Sequence, residues 1–299
     1  MCFNHKPQSA FPSDSRSIST ISSYEGREYI TAGGSGLIYG IDKDRVVKQY
    51  FEGEESDAER ERQAYMRLGS HPNIASYLGS LKDGSIIVER GQPLREKYQK
   101  SGAAKIPLRR KLGWLRQAAE GLRYAHEKGI VQADVGCYNM IWTRARGGLA
   151  ALMGSDCLKL IDFGGASVDG GEHGSCYQWY NYRRSTPEVS TQTDIFAFGC
   201  VMYEILTGRH PYHELEVSDN RSHLVQQLYE ENHFPDTTNL PLGQLMQGCW
   251  HGTFNSMAEV VEALEAADSV SMNTKSSATV TETLKGYCWL FVRSICAKK

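Results

Sequence analysis

Four stretches of this chain hold residues whose types and spacing suit phosphate and metal chemistry. In "LKLIDFGGAS", apolar residues lead into Asp162-Phe163-Gly164, a strand that delivers an acid to a tight turn. An acid so placed is a hard oxygen ligand, suited to Mg2+ bridging nucleotide phosphates. In "RVVKQY", Lys48 is a cation inside an apolar strand. Such a lysine either snorkels to the surface or has an anionic partner, because an unpaired buried charge is costly. The cluster Gly33-Gly34-Ser35-Gly36 lies where glycine lets backbone N–H groups approach phosphates with no side chain in the way. In "GIVQADVGCYNMIW", Asp134 and Asn139 stand in D-x4-N spacing. That spacing is common by chance, and glycine turns occur in any hairpin, so no one of these signals decides a function.

The elements that must position them follow from pattern. "REYITAGGSGLIYGIDKDRVVKQYF" reads as two strand-like runs joined by "DKD", with the glycine cluster in the first half. "ESDAERERQAYMRLGS" reads as a helix: acids crowd its first turns, Ala64, Met66 and Leu68 supply apolar faces, and Gly69 stops it. Glu52, Glu54, Glu55 and Glu59 are also nearby, but Glu61 precedes Tyr65 and Leu68 by four and seven residues, which places it on the inward face and selects it as the expected anionic partner for Lys48. "HPNIASYLGSLKDGSIIVERG" gives two more strands around "KDG". A strand-rich lobe thus ends near Gly91. Beyond it the chain is mainly helical. "RRKLGWLRQAAEGLRYAHEKG" closes on Gly129, "DIFAFGCVMYEILTG" is apolar nearly all round and so buried, and "NSMAEVVEALEAA" is a last amphipathic helix. Residues 1–24 are Ser-rich and polar, as are many of residues 268–299; both are expected to be flexible or disordered.

At 299 residues, with 40% apolar and 23% charged residues, the chain can bury a sizeable core. A net charge of -2 gives no sign of a nucleic-acid or membrane-surface binder driven by bulk charge. The 8 cysteines are scattered with no C-x2-C pair, which reads as reduced thiols of an intracellular protein, cytoplasmic or nuclear. The start lacks a signal-peptide pattern, and the late run "YCWLFV" is too short to span a bilayer.

Read together, a Gly-rich loop, Lys48, Glu61, D-x4-N, D-F-G, Thr186-Pro187-Glu188 and the D-x-x-x-F-G form at Asp194 occur in one order. This order resembles the eukaryotic protein-kinase family over roughly Tyr29 to Ala266, and most of all the divergent protein-kinase-like group of filamentous fungi, whose loops read G-D or A-D in place of R-D. The resemblance implies an α+β, bilobal protein-kinase-like fold. Its domain would span residues 25–267, with a small β-rich N-lobe over about 25–91 and a larger helical C-lobe over about 92–267. It also implies an ATP- and Mg2+-dependent protein kinase, serine/threonine by class, with an unidentified protein substrate, no nucleic acid and no membrane span.

Carried over residue by residue, the resemblance makes Asp134 the group that orients the acceptor hydroxyl and takes its proton. Asn139 and Asp162 hold Mg2+, Lys48 grips the α- and β-phosphates, and Glu61 holds Lys48. Gly33, Gly34, Ser35 and Gly36 cover the phosphates, although Thr31 stands where the first glycine of the loop belongs. Ile38, Val46 and Ile141 sandwich the adenine, and Val88, Glu89, Arg90 and Gly91 form the hinge, offering backbone groups to its edge. Asp194 accepts backbone N–H groups of the catalytic loop. Around the catalytic acid the chain departs from the family at three positions. Gln132 and Ala133 replace His and Arg before the acid, and Gly136 replaces a Lys that neutralises the γ-phosphate. Ala133 argues against a switch based on a phosphorylated activation segment, and Gly136 predicts slower chemistry. Two alternatives stay open: a nucleotide-binding pseudokinase acting as an interaction module, and a small-molecule phosphotransferase of the aminoglycoside or choline kinase kind. Asp162-Phe163-Gly164, the T-P-E stretch and "DIFAFG" count against the second.

Overall fold

The computed structural model describes residues 24, 26–144, 156–174, 177–184 and 189–273. Thr186-Pro187-Glu188 and all but one residue of the N-terminal lead-in lie outside these. Tyr24 is the exception: its phenol donates to Asp83 at 2.5 Å and its ring lies 5.3 Å from that of Tyr39, so this residue is anchored.

A five-stranded antiparallel sheet forms the N-lobe, with β1 (Glu28–Ala32), β2 (Gly36–Gly40), β3 (Arg45–Tyr50), β4 (Tyr77–Ser80) and β5 (Ile86–Glu89) in the order β1-β2-β3-β5-β4. The first run expected from sequence is therefore two strands. The glycine cluster breaks it, and Gly33 N–H closes the turn onto Gly36 O at 2.8 Å. A Cβ at residue 36 would lie 2.2 Å from Gln49 O, so the close approach of β2 to β3 admits only glycine there. Helix α1 (Glu55–Leu68) carries Glu55 and Asp57 in its first turn, where acids favour the helix dipole, and ends at Gly69 with φ 63°. It buries Glu61, Ala64, Tyr65 and Leu68 against the lobe. Met66, expected on an apolar face, is 62% exposed, because its position turns away from the Glu61–Leu68 stripe.

The C-lobe begins with β6 (Gln92–Pro93), α2 (Leu94–Ser101) and α3 (Leu108–Glu127). Gly129, at φ 72°, turns the chain out of α3 into β7 (Ile130–Val131). Strands β8 (Met140–Arg144) and β9 (Asp156–Leu160) pair with β6 in a small sheet, and β10 (Ser167–Val168) pairs with β7. Helix α4 (Thr191–Thr207) is buried along most of its length, as its all-round apolar pattern predicts, and stops at Gly208 with φ 84°. Helices α5 (Arg221–Glu230), α6 (Gly243–Trp250) and α7 (Met257–Asn273) complete the lobe. The last helix runs past Ala267 to Asn273, into the stretch read from sequence as a polar tail; residues 274–299 lie outside the described residues.

The lobes are stitched by backbone. Ala75 N–H donates to Leu160 O at 3.0 Å, and Leu160 N–H donates to Asn73 O at 2.9 Å. The Asn73 amide donates to Leu158 O at 2.9 Å, which fixes the "HPNI" segment against β9, the strand that delivers Asp162.

Candidate active site

Strand alternation turns Val46, Lys48 and Tyr50 of β3 to one face, toward α1 and the cleft. Lys48 is 5% exposed, and its ammonium donates to Glu61 Oε2 at 2.7 Å and to Asp162 Oδ1 at 2.8 Å. Burial opposes the charge, but Glu61 and Asp162 outweigh it and hold the ammonium protonated well above the ordinary lysine range. Glu61 is fixed by more than Lys48: the Tyr50 phenol donates to Oε2 at 2.8 Å and Phe163 N–H donates to Oε1 at 3.3 Å. Asp162 has φ 60°, a strained backbone for a residue with a Cβ. Its Oδ1 also accepts Gly164 N–H at 3.4 Å.

Across the cleft, Asp194 organises the loop before Asp134. Fully buried at the start of α4, it accepts Gln132 N–H at 2.8 Å and Ala133 N–H at 3.0 Å. The Tyr177 phenol donates to it at 3.0 Å, and His126 Nε2 lies 2.9 Å away. Two backbone N–H bonds to one carboxylate hold Ala133 at φ 61°, which aims the next residue into the cleft. Asp134 Oδ1 accepts the Tyr138 phenol at 2.6 Å, and its Oδ2 accepts Asn139 Nδ2 at 2.8 Å. Burial pushes the Asp134 carboxyl up to about 7; the hydrogen bonds from Tyr138 and Asn139 work the other way, and Asp162 adds to the rise. Asn139 Nδ2 also donates to Asp134 O at 3.0 Å, and Ile161 N–H donates to Asn139 O at 3.0 Å, which ties this loop to the D-F-G segment.

With its Nδ2 turned to Asp134, Asn139 has its amide oxygen as the remaining end, and the Asp162 side chain is 33% exposed. One carboxylate and one amide oxygen fit Mg2+, which takes one or two protein oxygens and fills the rest of its octahedron with phosphates and water. Gln132 sits wholly inside, donating to Ile161 O at 3.0 Å, while its Oε1 has no partner among the described residues.

The roof and floor of the cleft follow from strand register. Ile38 pairs with Lys48 and Val46 with Val88 across β2, β3 and β5, and Ile141 lies on β8 below them. A Cβ at Gly34 would meet nothing within 4 Å, and one at Gly33 only Gly36 O at 3.9 Å. In the hinge, the amides of Glu89 and Arg90 are taken by Ser76 O and Asp44 O, each at 2.9 Å. The Glu89 side chain turns away to Ser76 and to Lys159 at 3.1 Å, and Arg90 to Glu28 at 2.8 Å. A Cβ at Gly91 would lie 2.8 Å from Ile141 Cδ1, so the hinge backbone packs closely on the floor at this glycine.

Four residues at the site were not singled out from sequence. Tyr50 was readable, since it lies two positions past Lys48 on the same strand face. Arg60 and Arg67 were hidden among the many charges of α1. Arg60 donates to Gly164 O at 2.6 Å and pairs with Asp57 at 2.7 Å, while Arg67 pairs with Asp169. Tyr138 had no signal, because its role depends on where the loop folds its ring.

Comparison with known proteins gives a family model, protein tyrosine and serine/threonine kinase, that matches residues 43–266. The chain is 27% identical to mitogen-activated protein kinase kinase kinase 1 of Arabidopsis thaliana over 64% of its length and 32% of that protein. It is 28% identical to serine/threonine-protein kinase Nek5 of Mus musculus over 60% of its length and 28% of that protein. A probable serine/threonine-protein kinase of Clostridium acetobutylicum is 26% identical over 76% of this chain and 36% of its own length. The chain thus spans about a third of the length of the curated relatives it matches.

Proposed function

The chain belongs to the protein tyrosine and serine/threonine kinase family, and on that premise we propose that it transfers the γ-phosphoryl group of ATP to a protein hydroxyl, serine or threonine by class. The observation that carries this reading is Lys48 Nζ held between Glu61 at 2.7 Å and Asp162 at 2.8 Å. A buried ammonium fixed by two carboxylates is a preorganised cation for a phosphate oxygen.

In the reaction, the acceptor oxygen attacks the γ-phosphorus as the bond to the ADP oxygen breaks, and the acceptor proton passes to Asp134. Asp194 holds the backbone that presents Asp134, and Asn139 orients its carboxylate. Asn139 and Asp162 would hold Mg2+, which when bound offsets phosphate charge. Ile38, Val46 and Ile141 enclose the base, with Gly91 at its edge. Positioning and charge neutralisation supply most of the acceleration in such transfers.

One observation favours a second reading, a nucleotide-binding module without transfer: both carboxylate oxygens of Asp134 already accept internal hydrogen bonds. Turnover of γ-labelled ATP by the purified chain, beside its Asp134→Asn variant, separates the two. Transfer by the wild type and a loss in the variant supports the kinase reading. Tight MgATP binding with no transfer to itself or to generic protein acceptors overturns it.

A further inference from the structure

Tyr138 has no place in the chemistry above, yet its phenol lies 2.6 Å from the Asp134 oxygen that faces it. Its ring explains Gly136. The backbone there is extended, with φ -168° and ψ 159°, which any residue adopts. A backbone need for glycine is therefore not the cause. What excludes a side chain is the ring: a Cβ at residue 136 would lie 2.1 Å from Tyr138 Cε1 and 2.4 Å from Cζ. A side chain at 136 and the ring at 138 compete for one space.

The ring is also backed from behind. The Arg95 guanidinium lies 5.3 Å from its centroid, and Arg95 is itself held by Glu204 at 2.9 and 3.1 Å and by the Tyr180 phenol at 2.9 Å. A side chain gripped on its face and bonded at its tip has one place to be.

We propose that Tyr138 is a positioning residue for phosphoryl transfer, a neutral donor to Asp134 Oδ1 that fills the space from which a side chain at residue 136 would otherwise act. The proposal rests on the kinase reading. The phenol holds the carboxylate rotamer and leaves the second lone pair of Oδ1 for the acceptor hydroxyl. The phenol O–H is the donor and the carboxylate oxygen the acceptor at 2.6 Å. Gly136 is then the requirement of Tyr138, and the loop exchanges a cation for a phenol as a coupled pair of positions.

The test is single-turnover transfer from γ-labelled ATP to casein, with MgATP affinity and melting temperature measured on every variant. Tyr138→Phe keeps the ring and removes the donor. It should slow transfer about tenfold, the scale of one hydrogen bond to a charged group, with nucleotide affinity unchanged. Gly136→Lys alone should also slow transfer, because its stem displaces the ring. Combined with Tyr138→Ala it should run faster than either single variant, a non-additivity that independent sites do not show. A Tyr138→Phe variant as fast as wild type, or faster, would overturn the proposal, as would additive effects in the cycle. A wild type no faster than Asp134→Asn would remove the kinase reading and this proposal together, whereas an active wild type beside an undiminished Tyr138→Phe removes the proposal alone.

Discussion

The two sides of the cleft are built from different chemistry. On the side proposed to bind nucleotide, the Lys48 ammonium bridges the carboxyl groups of Glu61 and Asp162, and the Tyr50 phenol and Phe163 N–H add two further donors to Glu61. On the acceptor side, Asp134 is met by a phenol and an amide, and the position that carries a lysine in many kinases is Gly136. In the kinase reading proposed above, the first side would bind and neutralise phosphate charge in the ground state and the transition state alike. The second carries no cation at residue 136 and is ordered by a hydrogen bond from an uncharged phenol. Fixed geometry and fixed charge are thus separable: Asp194 and Tyr138 supply the geometry on the acceptor side without supplying positive charge.

The sharpest way to break this contrast is on the charged side. Lys48→Met and Asp162→Asn should each lower transfer by about a thousandfold, roughly 4 kcal/mol of transition-state stabilisation. They should do so by different routes. Calorimetry with and without Mg2+ should show weaker nucleotide binding in Lys48→Met, and in Asp162→Asn a loss of the Mg2+ dependence. An unchanged Mg2+ dependence in the second variant would remove Asp162 from metal binding.

Next in size is the anchor of the acceptor side. Asp194→Ala strands the buried N–H groups of Gln132 and Ala133, at about 1–3 kcal/mol for each unsatisfied group. Urea unfolding should therefore show a stability loss of about 3 kcal/mol, and Asp194→Asn, which keeps one acceptor oxygen, should lose less. Equal stability of all three chains would mean that water satisfies the loop.

A smaller effect is expected from glycines compared across the cleft. Gly136→Ala introduces a methyl into the Tyr138 ring and should slow transfer about tenfold, near 1.4 kcal/mol. Gly34→Ala, where nothing lies within 4 Å, should change it little. Single-turnover rates of the two variants measure this, and reversal of their order would contradict the crowding argument.

The smallest effect concerns regulation. Ala133 offers no charge for a phosphate, and the segment after Asp162 is tied to α1 by Arg60 on Gly164 O and Arg67 on Asp169. Arg183 and Arg184 are the alternative cations in that stretch, and Arg183 donates to Asn232 at 3.0 Å. Phosphatase treatment should therefore leave the rate within about twofold, under roughly 0.5 kcal/mol. A large drop would show that another cation has taken the role of the absent arginine.

Legibility in sequence divided along the same line as the chemistry. The charged partners could be read because a lysine in an apolar strand demands an acid, and helical spacing singles out Glu61 on the inward face of α1. The bilobal fold followed from a change of period, alternation before Gly91 and helical repeats after it. The β1–β2 break was missed, because a glycine cluster inside an apolar run reads equally as strand or turn. Met66 was misplaced because apolar type outweighed its angle on the helix. The hinge amides of Glu89 and Arg90 looked available from sequence, and only the packed lobes show them engaged with Ser76 and Asp44.

What the sequence determined by itself is the set of ionisable and glycine residues and their order, since burial cost and strand or helix period act locally and leave a pattern in the string. What the tertiary structure alone decided is the condition of the acceptor side. Whether Gly136 is a gap or a clearance depends on the direction of the Tyr138 ring, which Arg95 and Glu204 set from elements distant in the chain. Whether Asp134 faces the cleft depends on a buried acid at residue 194 holding Ala133 in a left-handed turn. Both are contacts between segments far apart in sequence, and residue type and spacing carry no record of the angle at which such segments meet.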